Sequence, residues 1–597
     1  MKADAMSLTF LANEGSVTIP FFQRGYVWDK ANWEDILVDL LNSSKSNFLG
    51  SLILKQQPKQ TGKPKDVLII DGQQRLTTLS ILLKALYDTF DGDVKKNCEA
   101  SVNSFLFYKK NATDSKLYVK INHSHIDSAH YTRIITSQLS SNDYNAIIVS
   151  DNSDKNPINI KFNKILQCYK YFKEELTPMN FSIREGLFNR LSDNENKILV
   201  LIDLTEKDNE QAIFDTINNA GIRLSSADTV KNALFQKAIE LLGSLDPVLP
   251  LHKEFWEDIF SNDEDSINFW DTERLTGRLR RDNIELLLHA IAVIKGFFDP
   301  DKNTLADIPS LYKDYINKLD EPKIITFIKE IAKYAKLYRE KILSFDRSSL
   351  FSYDNVPQRL FHILSQCEIS TFHPYILSLY FKHDDVNIIP ELCKLEKFII
   401  RRLITNQETK SYNKTCRDFI NDNSMINAKI TEISDISIQS GLQSITNKNA
   451  SLLLFWTELY RRFNDNKQSV KELKYNYSLE HILPQKWEEY WISVPVVDKD
   501  SKQISDSNEA KKERYSRIYS IGNMTLLNSS LNTSLRNYVF ERKIEGEGKK
   551  KGIRAYADLC ITKDDILSIY DKGDKVWNEK KIIDRTNSLA MEILEIW

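Results

Sequence analysis

The feature that most constrains this chain is one late histidine in a patterned run. After His383 the only histidine is His481, which stands in Ser478-Leu479-Glu480-His481-Ile482-Leu483-Pro484-Gln485. Ile521-Gly522-Asn523-Met524-Thr525-Leu526-Leu527 follows, with Asn532 nine positions after Asn523. A phosphodiester-cleaving centre built on one metal needs a neutral imidazole to take a proton from water. It also needs an amide to hold that imidazole in its tautomer, and oxygen ligands for a hard divalent cation on the phosphate. His481, Asn523 and Asn532 can supply those three parts, which requires their segments to fold against one another.

The Glu-His-Ile-x-Pro run and the Asn523 to Asn532 interval resemble the HNH endonucleases of the ββα-metal fold. The resemblance implies a strand ending at His481, a second strand near residues 519–527 and a helix over about 530–544. Where many such proteins carry a second zinc-binding cysteine pair, this chain has Asn528 and Leu531, and Cys560 is the only cysteine beyond Cys416. The likeness is therefore to the zinc-free branch. It implies that His481 is the general base, that Asn523 orients it and that Asn532 is a metal ligand. Glu480 is left between two readings, a further metal ligand or a surface carboxylate. Neighbours on a regular strand point to opposite faces, so Glu480 and His481 reach one metal only where the strand ends or twists.

With 597 residues the chain exceeds one hydrophobic core, which predicts several domains. Its apolar runs are interrupted by charge or too short to span a bilayer, and the start lacks the apolar core of a signal peptide. A soluble, cytoplasmic protein with no membrane partner is expected. Six cysteines without a CxxC pair suit a reducing compartment. A net charge of −2 confines any nucleic-acid contact to local patches. Lys543, Lys549, Lys550, Lys551 and Arg554 form one candidate, and Arg278, Arg280 and Arg281 another, although each taken alone reads more readily as a solvated face.

In the amino-terminal half, Val67-Leu68-Ile69-Ile70 predicts a buried strand, Asp71-Gly72-Gln73-Gln74-Arg75 a turn, and residues 76–90 a helix with an apolar stripe from Leu76 to Phe90. This order places free backbone N–H groups where a phosphate could sit. Asp71 could cap the helix or hold a metal, Gly72 permits close approach, and Arg75 can grip phosphate. Further expected elements are a helix at 30–41, strands at 48–55 and 198–203, and a helix at 227–242. In the last of these, Ser225 and Asp228 make a capping box.

Ile19-Pro20-Phe21-Phe22-Gln23-Arg24-Gly25, the Asp-Gly-Gln-Gln-Arg turn and the run Ile213–Ser225 together resemble the ParB/sulfiredoxin-like domain of the GmrSD family of modification-dependent (type IV) restriction enzymes. The likeness covers about residues 1–240, and the HNH domain following it matches the single-chain members. It implies that Gln23, Arg24, Asp71, Gly72, Gln73, Gln74 and Arg75 bind a nucleoside triphosphate. No Walker motif offers another explanation.

The expected architecture is thus α+β: a ParB/sulfiredoxin-like α/β domain over 1–240, a helical spacer over 241–390, and a 391–597 region with its HNH core at about 470–560. Repeated helical stripes mark residues 284–297, 323–343, 356–367 and 392–405, while the polar stretches 149–157, 424–449 and 498–512 read as loops. The function implied is nucleotide-regulated, Mg²⁺-dependent cleavage of foreign DNA, modified phage DNA above all, with NTPase activity and with self-association left open. Two alternatives stand beside it: a nucleotide-dependent sensor or scaffold with a silent nuclease centre, and an HNH nuclease directed at RNA.

Overall fold

Four successive aliphatic residues, Val67 to Ile70, followed by Asp71, make the strand on which the first half of the molecule is assembled. The computed structural model describes the chain apart from residues 1, 22, 24, 43–47, 58–65, 112–113, 124, 138–163, 205–224, 277–278, 345–348, 529–536 and 549, and apart from the side chains of 125, 126, 264, 275, 276 and 279. Arg24, Asn532, Arg278, Lys549, the run 213–224 and the stretch 149–157 accordingly lie outside the described residues. Two units result, Met1–Gln236 and Lys237–Trp597. Both are mixed α and β and mainly helical.

The first unit carries a mixed sheet. Its strands are β1 (Lys2–Met6), β2 (Val17–Thr18), β3 (Ser51–Gln56), β4 (Val67–Asp71), β5 (Ile121–Asn122) and β6 (Leu199–Leu204), in the order β1-β6-β3-β4-β2-β5. The β3–β4 and β1–β6 pairs are antiparallel and the others parallel. Helix α1 (Lys30–Leu41) has the expected bounds, set by an Asp29–Asn32 capping box. Helix α2 (Gln73–Tyr87) differs from expectation in two ways. It begins at Gln73 because Gly72, in the left-handed region at φ 90°, occupies the N-cap position; Asp71 stays in β4 and does not fill that position. It is also buried from Leu76 to Leu86 on every side, where the stripe predicts one apolar face. Thr78 and Ser80 satisfy this by bonding to the preceding turn, and Lys84 by pairing with Asp88 at 2.6 Å.

The second unit opens with packed helices, among them Asn283–Ile294, Glu321–Leu337, Val356–Gln366 and Ile389–Ile404, close to the stripes read from sequence. The expected boundary near 390 falls at the start of the last of these. Two stretches expected as loops contain helices. Residues 424–449 form Met425–Thr431 and Asp435–Gly441 and enter α3 (Asn447–Asn464), with Ser434 and Thr446 as N-caps. Residues 498–512 run into a helix capped by Asp506, whose carboxylate accepts from Asn508 N and Glu509 N.

Around β7 (Tyr477–His481) the remaining elements are α4 (Ser507–Ile518), β8 (Met524–Asn528), α5 (Phe540–Glu545) and α6 (Glu579–Ile596). Strands β7 and β8 pair antiparallel from Tyr477↔Asn528 to His481↔Met524, so the long insertion between them does not prevent the pairing. Arg514 of α4 anchors that insertion: it is buried, pairs with Glu579 of α6 at 2.7 Å and donates to Trp491 O and Val494 O. Among the described residues no helix is long and apolar enough to cross a membrane.

Candidate active site

The β7–β8 pairing brings His481 and Asn523 together, one at the end of its strand and the other in the turn before the opposite strand. Asn523 is fully buried. Its Oδ1 accepts from Leu483 N at 2.8 Å, and its Nδ2 donates to Leu483 O and Ile518 O, each at 2.9 Å. Both amide hydrogens are therefore committed to main-chain carbonyls. The expectation that Asn523 acts on the imidazole tautomer is corrected here: it holds the backbone that follows His481. Its own carbonyl adds a fourth bond, accepting from Ile482 N at 2.9 Å.

The turn is itself held from α6. Arg585 donates to Gly522 O at 2.9 Å and to Met524 O at 2.6 Å while pairing with Asp565, and Thr586 Oγ1 accepts from Gly522 N at 3.1 Å. Position 522 requires glycine, because a Cβ there would lie 2.3 Å from Ile582 O. Neither Arg585 nor Thr586 stands out in the sequence; a buried arginine far downstream carries no local signal.

His481 is partly buried, with Nε2 enclosed and lacking a hydrogen-bond partner among the described residues, and Tyr519 meets its ring edge-on at 5.9 Å between centroids. Burial first, and the Lys543 charge second, push its pKa down to about 4. The imidazole is thus neutral across the physiological range, the form in which it accepts a proton.

Glu480, on the neighbouring position of β7, is buried and paired with Lys543 of α5, with Oε1 to Nζ 2.5 Å. It is not the surface carboxylate of one sequence reading. Burial raises its pKa while Lys543 opposes the shift. Lys543 Nζ also donates to His481 O at 2.5 Å. Lys543 is therefore removed from the basic patch expected to meet nucleic acid. Arg554 of that patch is tied to Glu545 and Asp571, whereas Lys550 and Lys551 are exposed. In the second patch, Arg280 and Arg281 lie near Glu273 and Glu285.

As a seat for a divalent cation, Glu480 fits poorly, because an ammonium already stands against it. Among the described residues no cluster of three or more His, Cys, Asp or Glu side chains could hold a metal. Asn532, the other proposed ligand, lies outside them.

In the first unit the two glutamine motifs meet. Gln23 Nε2 donates to Ile69 O at 3.0 Å and Ile70 O at 3.2 Å, at the end of β4. Gln74 Oε1 accepts from Val27 N and Trp28 N, and its Nε2 donates to Gly25 O. Gln74 thus joins the Gly25–Trp28 segment to the start of α2, while Gln23 ties its own loop to the end of β4. Arg75 donates from Nη1 to Ser51 O at 2.7 Å and lies against Gly50, while its Nε is buried without a hydrogen-bond partner among the described residues. Burial lowers its pKa and Asp71 raises it. An enclosed guanidinium with an unused donor beside a helix start fits an anionic ligand.

Comparison with known proteins gives two family matches in one chain. Residues 8–235 match the N-terminal domain of GmrSD restriction endonucleases, and residues 428–592 match the C-terminal domain of GmrSD restriction endonucleases. An uncharacterized protein of Methanocaldococcus jannaschii is 23% identical over 571 residues, covering 85% of each chain.

Proposed function

Since the chain belongs to the GmrSD family of type IV restriction endonucleases, we propose that it is a nucleotide-regulated, metal-dependent endonuclease of the HNH type that defends a cell by cutting modified phage DNA. The observation that carries this reading is His481: a neutral imidazole, its Nε2 without a hydrogen-bond partner among the described residues, at the end of a strand whose following residues are fixed by Asn523. In the proposed reaction the imidazole takes a proton from water, the water oxygen bonds to phosphorus, and the bond from phosphorus to the leaving deoxyribose oxygen breaks, that oxygen taking its proton from solvent. Asn523 keeps the base aimed through the main chain. A divalent cation, Mg²⁺ in this reading with Asn532 as a proposed donor, supplies charge stabilisation at the phosphate when bound.

The first unit is proposed to bind and hydrolyse a nucleoside triphosphate at the Gln23, Arg24 and Asp71–Arg75 cluster. Nucleotide can bias cleavage only by binding two arrangements of the protein unequally. The test is cleavage of modified and unmodified phage DNA with Mg²⁺ and each nucleoside triphosphate. His481→Ala is expected to lose about 10²–10⁴-fold in rate, as for a missing general base, with nucleotide hydrolysis intact. Cutting by His481→Ala at the wild-type rate would remove His481 from the reaction. Cleavage of RNA but not DNA would overturn the proposed substrate.

A further inference from the structure

We infer that Glu480 is the counter-ion of Lys543 rather than a metal ligand, and that Lys543 is a positioning residue for His481, a proposal resting on the nuclease reading of that histidine. Two independent observations carry it. The first is the ammonium itself. Lys543 has no exposed surface, and Nζ stands 2.5 Å from Glu480 Oε1 and 2.5 Å from His481 O. A buried lysine that lost this carboxylate would be left as an uncompensated charge, so Glu480 is not free to turn to a second cation. The second is strand geometry. Pairing stays in register through Glu480↔Thr525 and His481↔Met524, so the carboxylate and the imidazole leave opposite faces of β7.

The bond to His481 O gives the pair its purpose. The peptide following His481 is held by Lys543 at its carbonyl and by Asn523 O at the next N–H. Fixing that peptide plane fixes the direction of the Cα–Cβ bond that carries the imidazole. Lys543 thus reaches the reaction through His481 and touches no substrate.

The full chain tests this with Glu480→Gln, Lys543→Met, Lys543→Arg and the double variant Glu480→Gln/Lys543→Met, in which neither buried charge remains unpaired. Mn²⁺ affinity measured by calorimetry without DNA is expected to stay within about twofold of wild type in Glu480→Gln, whereas loss of a true ligand weakens it by about tenfold or more. In plasmid nicking, Lys543→Met and the double variant are expected to lose kcat by on the order of 10²-fold at unchanged KM, with partial recovery in Lys543→Arg. Weakened Mn²⁺ binding in Glu480→Gln makes it a ligand and overturns the proposal. Wild-type kcat in a folded Lys543→Met or double variant overturns the positioning role. His481→Ala run alongside separates the two failures: wild-type nicking there refutes the nuclease reading itself, while the Mn²⁺ titration still decides Glu480.

Discussion

Replacing Asn523 by alanine separates an amide that orients a ring from one that holds a chain. The substitution removes one acceptor and two donors, leaving Leu483 N–H, Leu483 C=O and Ile518 C=O without the partners they have at 2.8–2.9 Å. Each buried, unsatisfied group costs about 1–3 kcal/mol, so three give at least about 3 kcal/mol, with water entering the vacated volume keeping the total near about 5 kcal/mol. Exchange of the Leu483 amide with solvent reads this directly. Where local opening controls exchange, 3 kcal/mol speeds it by on the order of 10²-fold. Deuterium uptake followed by mass spectrometry on peptides spanning 482–484 and 518–519 is the assay, with plasmid nicking in parallel. We expect fast exchange at Leu483 and a comparable loss of nicking, because a displaced base costs about 10²-fold. Wild-type exchange at Leu483 with lost nicking would refute the argument and return Asn523 to the imidazole.

Two further outcomes are expected. The lowered pKa of His481, about 4 against an ordinary 6.5, means that the unfolded chain binds the extra proton first as pH falls. Metal-free protein should therefore lose stability in its second unit as pH drops from about 6.5 toward 4, an effect that His481→Phe diminishes; identical pH dependence of urea unfolding in both would refute the shift. In the first unit, Gly50→Ala places a Cβ 2.5 Å from Arg75 Cζ at a backbone φ of 115°, so it should impair nucleotide binding in calorimetry as Arg75→Ala does, and restriction of phage with it. Wild-type affinity in Gly50→Ala would show that the placement of Arg75 is immaterial.

What the sequence discloses here is local. The start of α1 is fixed locally by Asp29 and Asn32 three residues apart, and the meeting of His481 with Asn523 follows from two short runs that pair as strands. Helix α4 is hidden because it is tethered by the buried Arg514–Glu579 pair and lacks an apolar stripe, so its residues look like solvent-facing loop. Lys543 is misread for a related reason. It precedes a lysine-rich run, and only the fold shows that its ammonium faces Glu480. Long-range pairing of buried charges has no period for a sequence to display. The left-handed Gly72 that shifts the start of α2 is of the same kind, since glycine in a turn allows several conformations and neighbouring strands choose one.

The grip of α6 on the turn has a consequence for synthesis. Gly522 and Met524 are held by Arg585, more than 60 residues further along the chain. A nascent or prematurely terminated polypeptide that stops before α6 contains both strands, His481 and Asn523, yet lacks the guanidinium that holds the turn between them. Folding proceeds from the amino terminus as the ribosome advances, so the first unit can be in place while the second is unfinished. A copy that ends early therefore carries His481 and Asn523 without the contact that holds the turn between their strands.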